Sequence, residues 1–456
     1  MTPQETVERA LALSKADGCI VLASERSEAN LRWANNTLTT NGTMRSRQVS
    51  VISVVGTSAG VVQRSAVDAD GLEDLVRASE QAARDAGPAE DATALAEPGE
   101  ADGWDEPPAE TSIGRFTDLA TGLGSAFARS GAADRLLFGF AEHTMDTTYL
   151  GSSTGLRRRH VQPSGRIDVN GKSPDFSRSA WVGRSTRDFA DIDVEALEGE
   201  LATRLDWARR PVALPAGRYE TLLPPTAVAD LLYYLYLSAG ARSADEGRTV
   251  FSRPGGGTRI GEKIAALPLT LRSDPSEPGL EAEPFYTVTS SEEGAHSVFD
   301  NGVPLGPTDW IRAGELSALT GTRAWAGKAG TPATLMQDNL ILEAPDATAS
   351  LADMVARTER GLLLTCLWYI RVVDPQVLLM TGLTRDGVYL VENGEVTGAV
   401  NNFRWNESPV DLLGRATEAG RTERCLPREW SDYFTRTAMP PLRIPDFNMS
   451  TVSQAS

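Results

Sequence analysis

The spacing of apolar residues in the first half of the chain predicts both helices and strands. Val7, Ala10, Leu11 and Leu13 recur at helical spacing and indicate an amphipathic first helix. Further helices are predicted at 72–87, near 115–130 and around 193–208. Strand-like runs lie between them, at 19–26, 30–38, 47–67, 135–143, 147–155 and 179–186. This order predicts an α+β fold for the N-terminal part.

The second half of the chain is predicted to be rich in strands. It opens with one helix that contains "DLLYYLYL", residues 230–237, and apolar runs of strand type follow it. Asp386-Gly387 and Asn393-Gly394 separate such runs and are typical of tight β-hairpin turns. We therefore expect one large, mainly antiparallel sheet. The predicted domains are 1–212, which is α+β, and 213–456, which is β-rich.

An acidic segment, residues 88–112, interrupts the first predicted domain. It combines Pro, Gly and Ala with many Asp and Glu residues, and it shows no apolar periodicity. Such a segment cannot bury enough apolar area to offset the entropy that ordering costs. We therefore expect a flexible surface excursion that is mobile and dispensable for folding.

Composition places the chain among globular proteins and disfavours nucleic acid as a partner. The 456 residues are 41% hydrophobic and 23% charged, near the globular average, and suffice for two or three domains. The formal net charge is −18. Binding of a phosphate backbone depends on Lys and Arg, so nucleic acid is a poor partner for this chain. The one basic cluster, Arg157 to His160, is interpreted as a solvated strand face.

The same sequence disfavours membrane and disulfide chemistry. The best apolar run, "GLLLTCLWYI", is far shorter than the roughly 20 residues that span a bilayer, and the first residues lack the apolar core of a signal peptide. Cys19, Cys366 and Cys425 are odd in number and show no paired spacing. A cytoplasmic protein without a disulfide framework is expected.

Two segments match the G-x-S-x-G pattern of serine hydrolases, around Ser58 and Ser153. In that pattern the serine lies on a sharp turn between a strand and a helix. Strand-like sequence follows both segments here, which favours simple hairpin turns. A self-sufficient hydrolase that uses Ser58, Ser153 or Cys366 as nucleophile nevertheless stays an alternative.

The chain offers few metal ligands. His143, His160 and His296 are scattered, and the sequence contains neither a His-Glu pair nor a Cys-x-x-Cys spacing. A zinc site needs three or four such ligands at suitable spacing. We therefore expect no metal and no cofactor in this chain.

Polar residues are densest in "NNFRWNESP", beside apolar strands. We call Asn401, Asn402, Arg404, Asn406 and Glu407 the polar cluster. Such groups on a rigid sheet can hydrogen-bond the backbone of an extended peptide, or they can satisfy their own loop. Both interpretations stay open. The first predicts that the polar cluster faces a substrate or a partner.

Three segments together resemble the TldD/PmbA family, historically labelled modulators of DNA gyrase. They are "TLLPPTAVADLLYYLYLSAGARSADEGRTVFSR" at 221–253, the stretch from "RTERGLLLTCLWYIRVV" to "NNFRWNESPVDLL" at 357–413, and "PPLRIPDFNMSTVSQ" at 440–454. The likeness extends over nearly the whole chain and is weakest at 88–112. It implies an α+β N-terminal domain packed on a β-rich C-terminal domain.

The resemblance also implies which of two subunit types this chain is. TldD-like members carry a zinc-binding His-Glu-x-x-x-His helix and a late cysteine ligand, whereas TldE (PmbA) members keep the fold without that motif. At the corresponding place, residues 232–237, this chain reads Leu-Tyr-Tyr-Leu-Tyr-Leu. Neither leucine nor tyrosine replaces imidazole or a carboxylate base. Cys425 lies late in the chain but is not equated with the cysteine ligand.

A TldE-type subunit implies a heterodimeric metalloprotease in which a TldD-like partner holds the zinc. Its substrates are short or unfolded peptides, which are cleaved inside an enclosed chamber. This chain would supply part of the chamber wall and no catalytic residue. A homodimeric binding or scaffold protein without a protease partner is the second alternative.

Overall fold

A computed structural model describes residues 1–65, 67–292 and 294–453. The last residue of the family-like segment 440–454 lies outside these ranges. The N-terminal elements are α1 Pro3–Leu13, β1 Gly18–Ala34, β2 Thr37–Val55, β3 Ser58–Ser65, α2 Ala69–Asp85, a 3₁₀ turn Ile113–Phe116, α3 Thr117–Ala132, β4 Leu136–Ser152, β5 Arg157–Lys172, β6 Ser179–Thr186 and α4 Val194–Trp207.

Six antiparallel strands form the N-terminal sheet, in the order β3-β2-β1-β4-β5-β6. Side chains alternate between the two faces of a strand. On β1, Val21 and Leu31 point to the face that α1, α2, α3 and α4 cover. Ile20 and Leu22 point to the other face, where they pack with Phe299 from the second half of the chain. The sheet is therefore covered on both faces at this end.

The acidic segment 88–112 lies against this sheet. Ala96 is buried, and the ring of Trp104 meets that of Tyr149 edge-on, with centroids 5.7 Å apart. The Tyr149 hydroxyl donates to the carbonyl oxygen of Glu106 at 2.6 Å. The expectation of a free excursion is corrected in this respect, because a few apolar side chains and backbone groups find partners on the strands despite the acidic composition.

The C-terminal elements alternate short strands with short helices. They are β7 Pro211–Val212, β8 Gly217–Leu223, α5 Pro225–Leu237, α6 Ala241–Asp245, β9 Thr270–Ser273, a 3₁₀ turn Val298–Asp300, β10 Thr308–Arg312, β11 Glu315–Leu316, α7 Arg323–Ala329, β12 Leu340–Glu343, α8 Leu351–Ala356, β13 Arg360–Leu364, β14 Leu367–Asp374, β15 Leu379–Thr384, β16 Val388–Glu392, β17 Glu395–Val400, β18 Phe403–Glu407, α9 Pro409–Arg415, β19 Glu418–Ala419, β20 Glu423–Cys425, β21 Thr437–Met439, β22 Leu442–Met449 and β23 Thr451–Val452.

The second half of the chain forms three sheets where one large sheet was expected. Their strand orders are β19-β22-β8-β13-β16-β17-β7, β11-β10-β9-β12-β21-β20 and β14-β15-β18-β23. Most neighbouring strands are antiparallel, and β12–β21, β13–β8 and β17–β7 are parallel. The predicted α+β class with a β-rich C-terminal part is confirmed.

One of the two predicted hairpin turns is wrong. Asn393-Gly394 does join the paired strands β16 and β17. Asp386-Gly387 instead joins β15 to β16, which belong to different sheets. The carbonyl oxygen of Gly387, whose φ is +150°, accepts the N–H of Thr365 at 2.9 Å. At this point the chain passes between two sheets. β13 pairs with β16 in one sheet, and β14 pairs with β15 in the other.

The two halves of the chain contact each other through β5 and β6. The guanidinium of Arg428 lies 4.8 Å from the ring centroids of both Trp181 and Trp368. The Trp181 indole N–H donates to Asp168 at 2.9 Å, and Asp168 lies 3.8 Å from Arg428. These contacts place the N-terminal sheet beside the loops that precede β21. Within the described residues, every helix is too short or too polar to cross a membrane.

Candidate functional site

Helix α5 contains residues 232–237, where the family resemblance predicts the zinc helix of TldD-like proteins. Leu231, Leu232 and Leu235 are each 2% exposed and lie in the main core of the second half. A helix that is apolar on all sides is stable only when it is surrounded by protein. The segment is therefore a structural core helix.

The tyrosines of α5 are held by aromatic and hydrogen-bond contacts. Tyr233 stacks on Phe434 with ring centroids 4.2 Å apart. The Tyr236 hydroxyl accepts the N–H of Gln337 at 2.7 Å and donates to its carbonyl oxygen at 3.1 Å. Burial raises the pKa of Tyr233 and of Tyr234 to about 12. These phenols stay neutral at physiological pH, so they are poor metal ligands.

One carboxyl and one thiol lie at this helix. Asp230 is fully buried, its Oδ1 accepts the N–H of Glu429 at 2.8 Å, and burial raises its pKa well above the usual value. Cys425, on β20 beside α5, lies 3.3 Å from the Thr437 hydroxyl, and burial raises its pKa to about 12. In residues 1–65, 67–292 and 294–453, no group of three His, Cys, Asp or Glu side chains is placed to hold a metal. The residues around α5 therefore do not fit a zinc ion.

The candidate nucleophiles lie in structural surroundings. Ser153 is in the turn between β4 and β5, where its hydroxyl accepts the N–H of Cys19 at 3.0 Å. Ser58 starts β3 in the turn that follows β2. Cys366 is buried, and burial raises its pKa to about 12. These settings favour the hairpin and core interpretations over nucleophilic catalysis.

The hydrogen bonds of the three histidines to described residues go to groups other than the candidate nucleophiles Ser58, Ser153 and Cys366. Burial lowers the pKa of His143 and of His160, so both rings are neutral at physiological pH. Their ring nitrogens lie within hydrogen-bond distance of other groups, namely Thr111 and the Arg187 carbonyl for His143, Gln162 for His160, and Tyr286 for His296. None of these partners is a candidate nucleophile.

The polar cluster is divided by the alternation of strand β18. Phe403, Trp405 and Glu407 point inward and are buried, whereas Arg404 is exposed on the opposite face with Asn406. The Arg404 guanidinium reaches only the Thr381 hydroxyl, at 3.4 Å, among its hydrogen bonds to described residues. The two charged members of the cluster therefore lie on different faces.

The remaining members of the polar cluster serve their own surroundings. Glu407 accepts from Arg415 at 2.5 Å and from the N–H of Asn448 at 2.7 Å. Asn401 Oδ1 accepts the N–H of Leu214 at 2.8 Å. The Asn402 side chain accepts the hydroxyl of Thr384 at 3.2 Å. Arg404 is the member whose side chain is exposed to a partner or a substrate, whereas the Oδ1 of Asn406 is buried.

A polar cavity of about 280 Å³ opens between the N-terminal sheet and the loops before β21. We call it the charged cleft. Carboxyl groups outnumber guanidinium groups along it, so its walls favour cationic and hydrogen-bonding ligands over anions. Its ionisable residues are Arg26, Glu142, Asp146, His160, Arg166, Glu283, Asp338, Asp432, Tyr433 and Arg436.

A second cavity, of about 270 Å³, lies between α5 and the segment 283–288. We call it the aromatic cavity. Rings of Tyr233, Tyr236 and Phe434 line one part of it. It shares Glu283 and Asp338 with the charged cleft, so the two cavities are neighbours beside the helix.

Sequence reasoning does not select the residues where the two cavities meet. Glu283 and Asp338 lie in loops, far apart in the chain, and neither belongs to a motif with defined spacing. The pair is created by the packing of these loops around α5. The weak local signal is a single acid directly before aromatic residues, in "EPFY".

Comparisons with known proteins agree with this architecture. TldE from Thermococcus kodakarensis matches with a TM-score of 0.78 and 17% identity, over 98% of this chain and 99% of that chain. A protein assigned as a modulator of a DNA gyrase from Thermotoga maritima gives the same values. A further such protein from Bacteroides thetaiotaomicron has a TM-score of 0.74 and 15% identity, over 99% and 98% of the two chains. At this identity the likeness shows the fold.

The sequence itself supplies the family. No curated protein matches the chain by sequence. Residues 216–451 match the family profile described as the PmbA/TldA metallopeptidase C-terminal domain. This match covers more than half of the chain, from β8 to the start of β23. The chain therefore belongs to the PmbA/TldD metallopeptidase family.

Proposed function

We propose that this chain is the non-catalytic, TldE-like subunit of a heterodimeric zinc metallopeptidase. A TldD-like partner supplies the zinc, and the complex cleaves short or unfolded peptides. The observation that carries this proposal is helix α5, which buries leucines in the core and offers no zinc ligand where a catalytic subunit needs them.

An exposed apolar surface on β14 supports assembly with a second chain. Glu429 accepts the N–H groups of Tyr369 and Ile370, at 3.0 and 3.2 Å, which covers the inner end of this edge strand. Beyond it, Val372 and Val373 are 41% and 58% exposed, where the pairing of β14 with β15 is irregular. We call Tyr369, Val372, Val373 and Val377 the β14 patch. An exposed apolar edge strand is typical of an interaction surface.

Reconstitution with a TldD-like partner tests the proposal. Cleavage of an unfolded peptide is expected in the mixture, with loss on addition of a chelator. A chain that forms only homodimers and leaves the partner's activity unchanged would instead favour the scaffold alternative.

Arg404 provides a test of the polar cluster within this complex. Arg404→Ala should leave the free energy of unfolding within about 0.5 kcal/mol, because the side chain is exposed. We expect it to lower heterodimer affinity or peptide turnover about tenfold, the effect of losing one hydrogen bond to a charged group. Thermal unfolding, sedimentation and peptide cleavage measure the three quantities.

Glu407→Ala is the matched control. It leaves Arg415 and the N–H of Asn448 without their acceptor, which should cost about 2 kcal/mol or more of stability. Turnover per folded heterodimer should stay normal. If Arg404→Ala changes neither assembly nor turnover, Arg404 has no role in recognition.

A further inference from the structure

Two residues that line the aromatic cavity have buried side-chain oxygens that the described part of the chain leaves without donors. Gln337 is 5% exposed, and its amide nitrogen donates to the Gly306 carbonyl at 2.8 Å and to the Thr308 hydroxyl at 2.9 Å. Its buried Oε1 has no hydrogen-bond partner. The same holds for the buried Oε1 of Glu283, whose Oε2 accepts the Thr287 hydroxyl at 2.6 Å. Unpaired buried acceptors are rare in folded proteins, and a donor group of a ligand would satisfy them.

The charge of the cavity selects the type of donor. Two carboxyl groups, Glu283 and Asp338, line it, and its walls contain neither Lys nor Arg. Asp338 is hydrogen-bonded to Arg436, so Glu283 is the carboxyl that lacks a basic partner among the described ion pairs. A cationic donor would satisfy the charge and the unpaired oxygen together.

The walls suit the same ligand. Tyr233, Tyr236, Phe285 and Phe434 line the cavity, and aromatic rings attract cations through their faces. Its volume of about 270 Å³ is at the lower limit of the roughly 300–1,000 Å³ of pockets for drug-sized ligands. The space therefore suits one small cationic group better than a whole drug-sized molecule.

We propose that the aromatic cavity binds the ammonium group of a peptide, with Glu283 as its ion-pair partner and Gln337 Oε1 as a hydrogen-bond acceptor. Only the identification of the carrier as a peptide rests on the proposed function. The ammonium group belongs either to a lysine side chain or to the peptide N-terminus. The charged cleft shares two wall residues with the cavity, and the rest of the peptide would extend along that cleft.

Protonation of Glu283 gives the site a pH dependence. Burial, helped by the negative charge of Asp338 and opposed by the hydrogen bond from Thr287, raises the pKa of Glu283 to about 7. Below that pH the carboxyl is protonated in the free chain, so binding a cation must release a proton. Affinity should therefore rise from pH 6 to pH 8 for an ammonium that stays charged. The other ionisable groups around Glu283 are Asp338, Arg436, Tyr233, Tyr236, Tyr286 and His296, together with those of the charged cleft.

Calorimetric titration of the isolated chain with three blocked tripeptides tests the site. Acetylated and amidated Gly-Lys-Gly carries only a side-chain ammonium, amidated Gly-Gly-Gly carries only an α-ammonium, and acetylated, amidated Gly-norleucine-Gly carries none. One of the first two should bind with a dissociation constant in about the millimolar range. For the lysine peptide, affinity should level off above pH 8. For the α-amine, whose ordinary pKa is about 7.7–8.0, affinity should fall there.

Two variants distinguish binding at Glu283 from nonspecific attraction of the cation by the net negative charge of the chain. Glu283→Gln should weaken binding at pH 8 at least about tenfold and remove the pH dependence. Glu281→Gln is the matched control, because that carboxylate pairs with Arg187 outside the aromatic cavity and should bind as the parent chain does. Thermal unfolding of both variants checks the fold.

Several results would overturn the site. They are equal binding of the norleucine peptide, no binding of either amine peptide at about 10 mM, or unchanged binding by a folded Glu283→Gln variant. The titration contains no partner chain. A failed titration would therefore not argue against partner-dependent cleavage. A failed cleavage assay would likewise not argue against the binding site.

Discussion

Peptidase activity is expected to appear only when this chain meets a TldD-like partner, with a gain of at least about a thousandfold over the isolated chain. Zinc-bound water supplies a nucleophile at neutral pH, and no group of three His, Cys, Asp or Glu side chains among the described residues of this chain is placed to hold the metal. Its thiols at Cys366 and Cys425 are buried, with pKa values raised to about 12. Cleavage of an unfolded, quenched fluorescent peptide measures the gain.

The controls identify which subunit carries the chemistry. A chelator should abolish turnover by the mixture, and restored zinc should recover it. Ser58→Ala, Ser153→Ala and Cys366→Ala should leave the activity of the mixture unchanged per folded complex. Metal-independent turnover by this chain alone, lost in one of these variants, would establish the hydrolase alternative instead.

Assembly is expected to fail when a charge enters the β14 patch. Val373 is 58% exposed at the edge of the four-stranded sheet, so Val373→Glu should leave the isolated chain folded. In the heterodimer the carboxylate would be desolvated without a partner, which should weaken binding by about thirtyfold or more. Sedimentation of the mixed subunits measures the dissociation constant.

The opposite edge of the same sheet provides the control. Val452 lies on β23 and is 48% exposed, so Val452→Glu introduces the same charge at a comparable site. It should assemble as the parent chain does. Equal affinities for the two variants would show that the β14 patch is not the interface.

Local sequence patterns predict the elements of this fold better than their assembly. Asn393-Gly394 forms its hairpin because a tight turn depends on the residues within it. Asp386-Gly387 has the same local pattern, but the pairing of β13 with β16 and of β14 with β15 places its flanking strands in different sheets. Such pairings join residues far apart in sequence, and local periodicity carries no information about them.

Some features of the candidate site can likewise be predicted from the sequence, and others depend on how distant segments pack. The absence of zinc ligands from 232–237 follows from residue types alone, and the burial of α5 follows from its apolar sequence. The alternation of β18 is also visible in the sequence and by itself places Arg404 and Glu407 on opposite faces, but which face is buried needed the structure. Glu283 and Gln337 meet only after two loops pack around α5.

The zinc content of this chain, purified by itself and dialysed, tests its proposed non-catalytic role most directly. Mass spectrometry of the metal should find less than about a tenth of a zinc per chain, against about one per chain in a TldD-like partner treated identically. The assembled complex should contain about one zinc per heterodimer. A tightly held zinc in this chain alone, at about one per chain, would contradict that role.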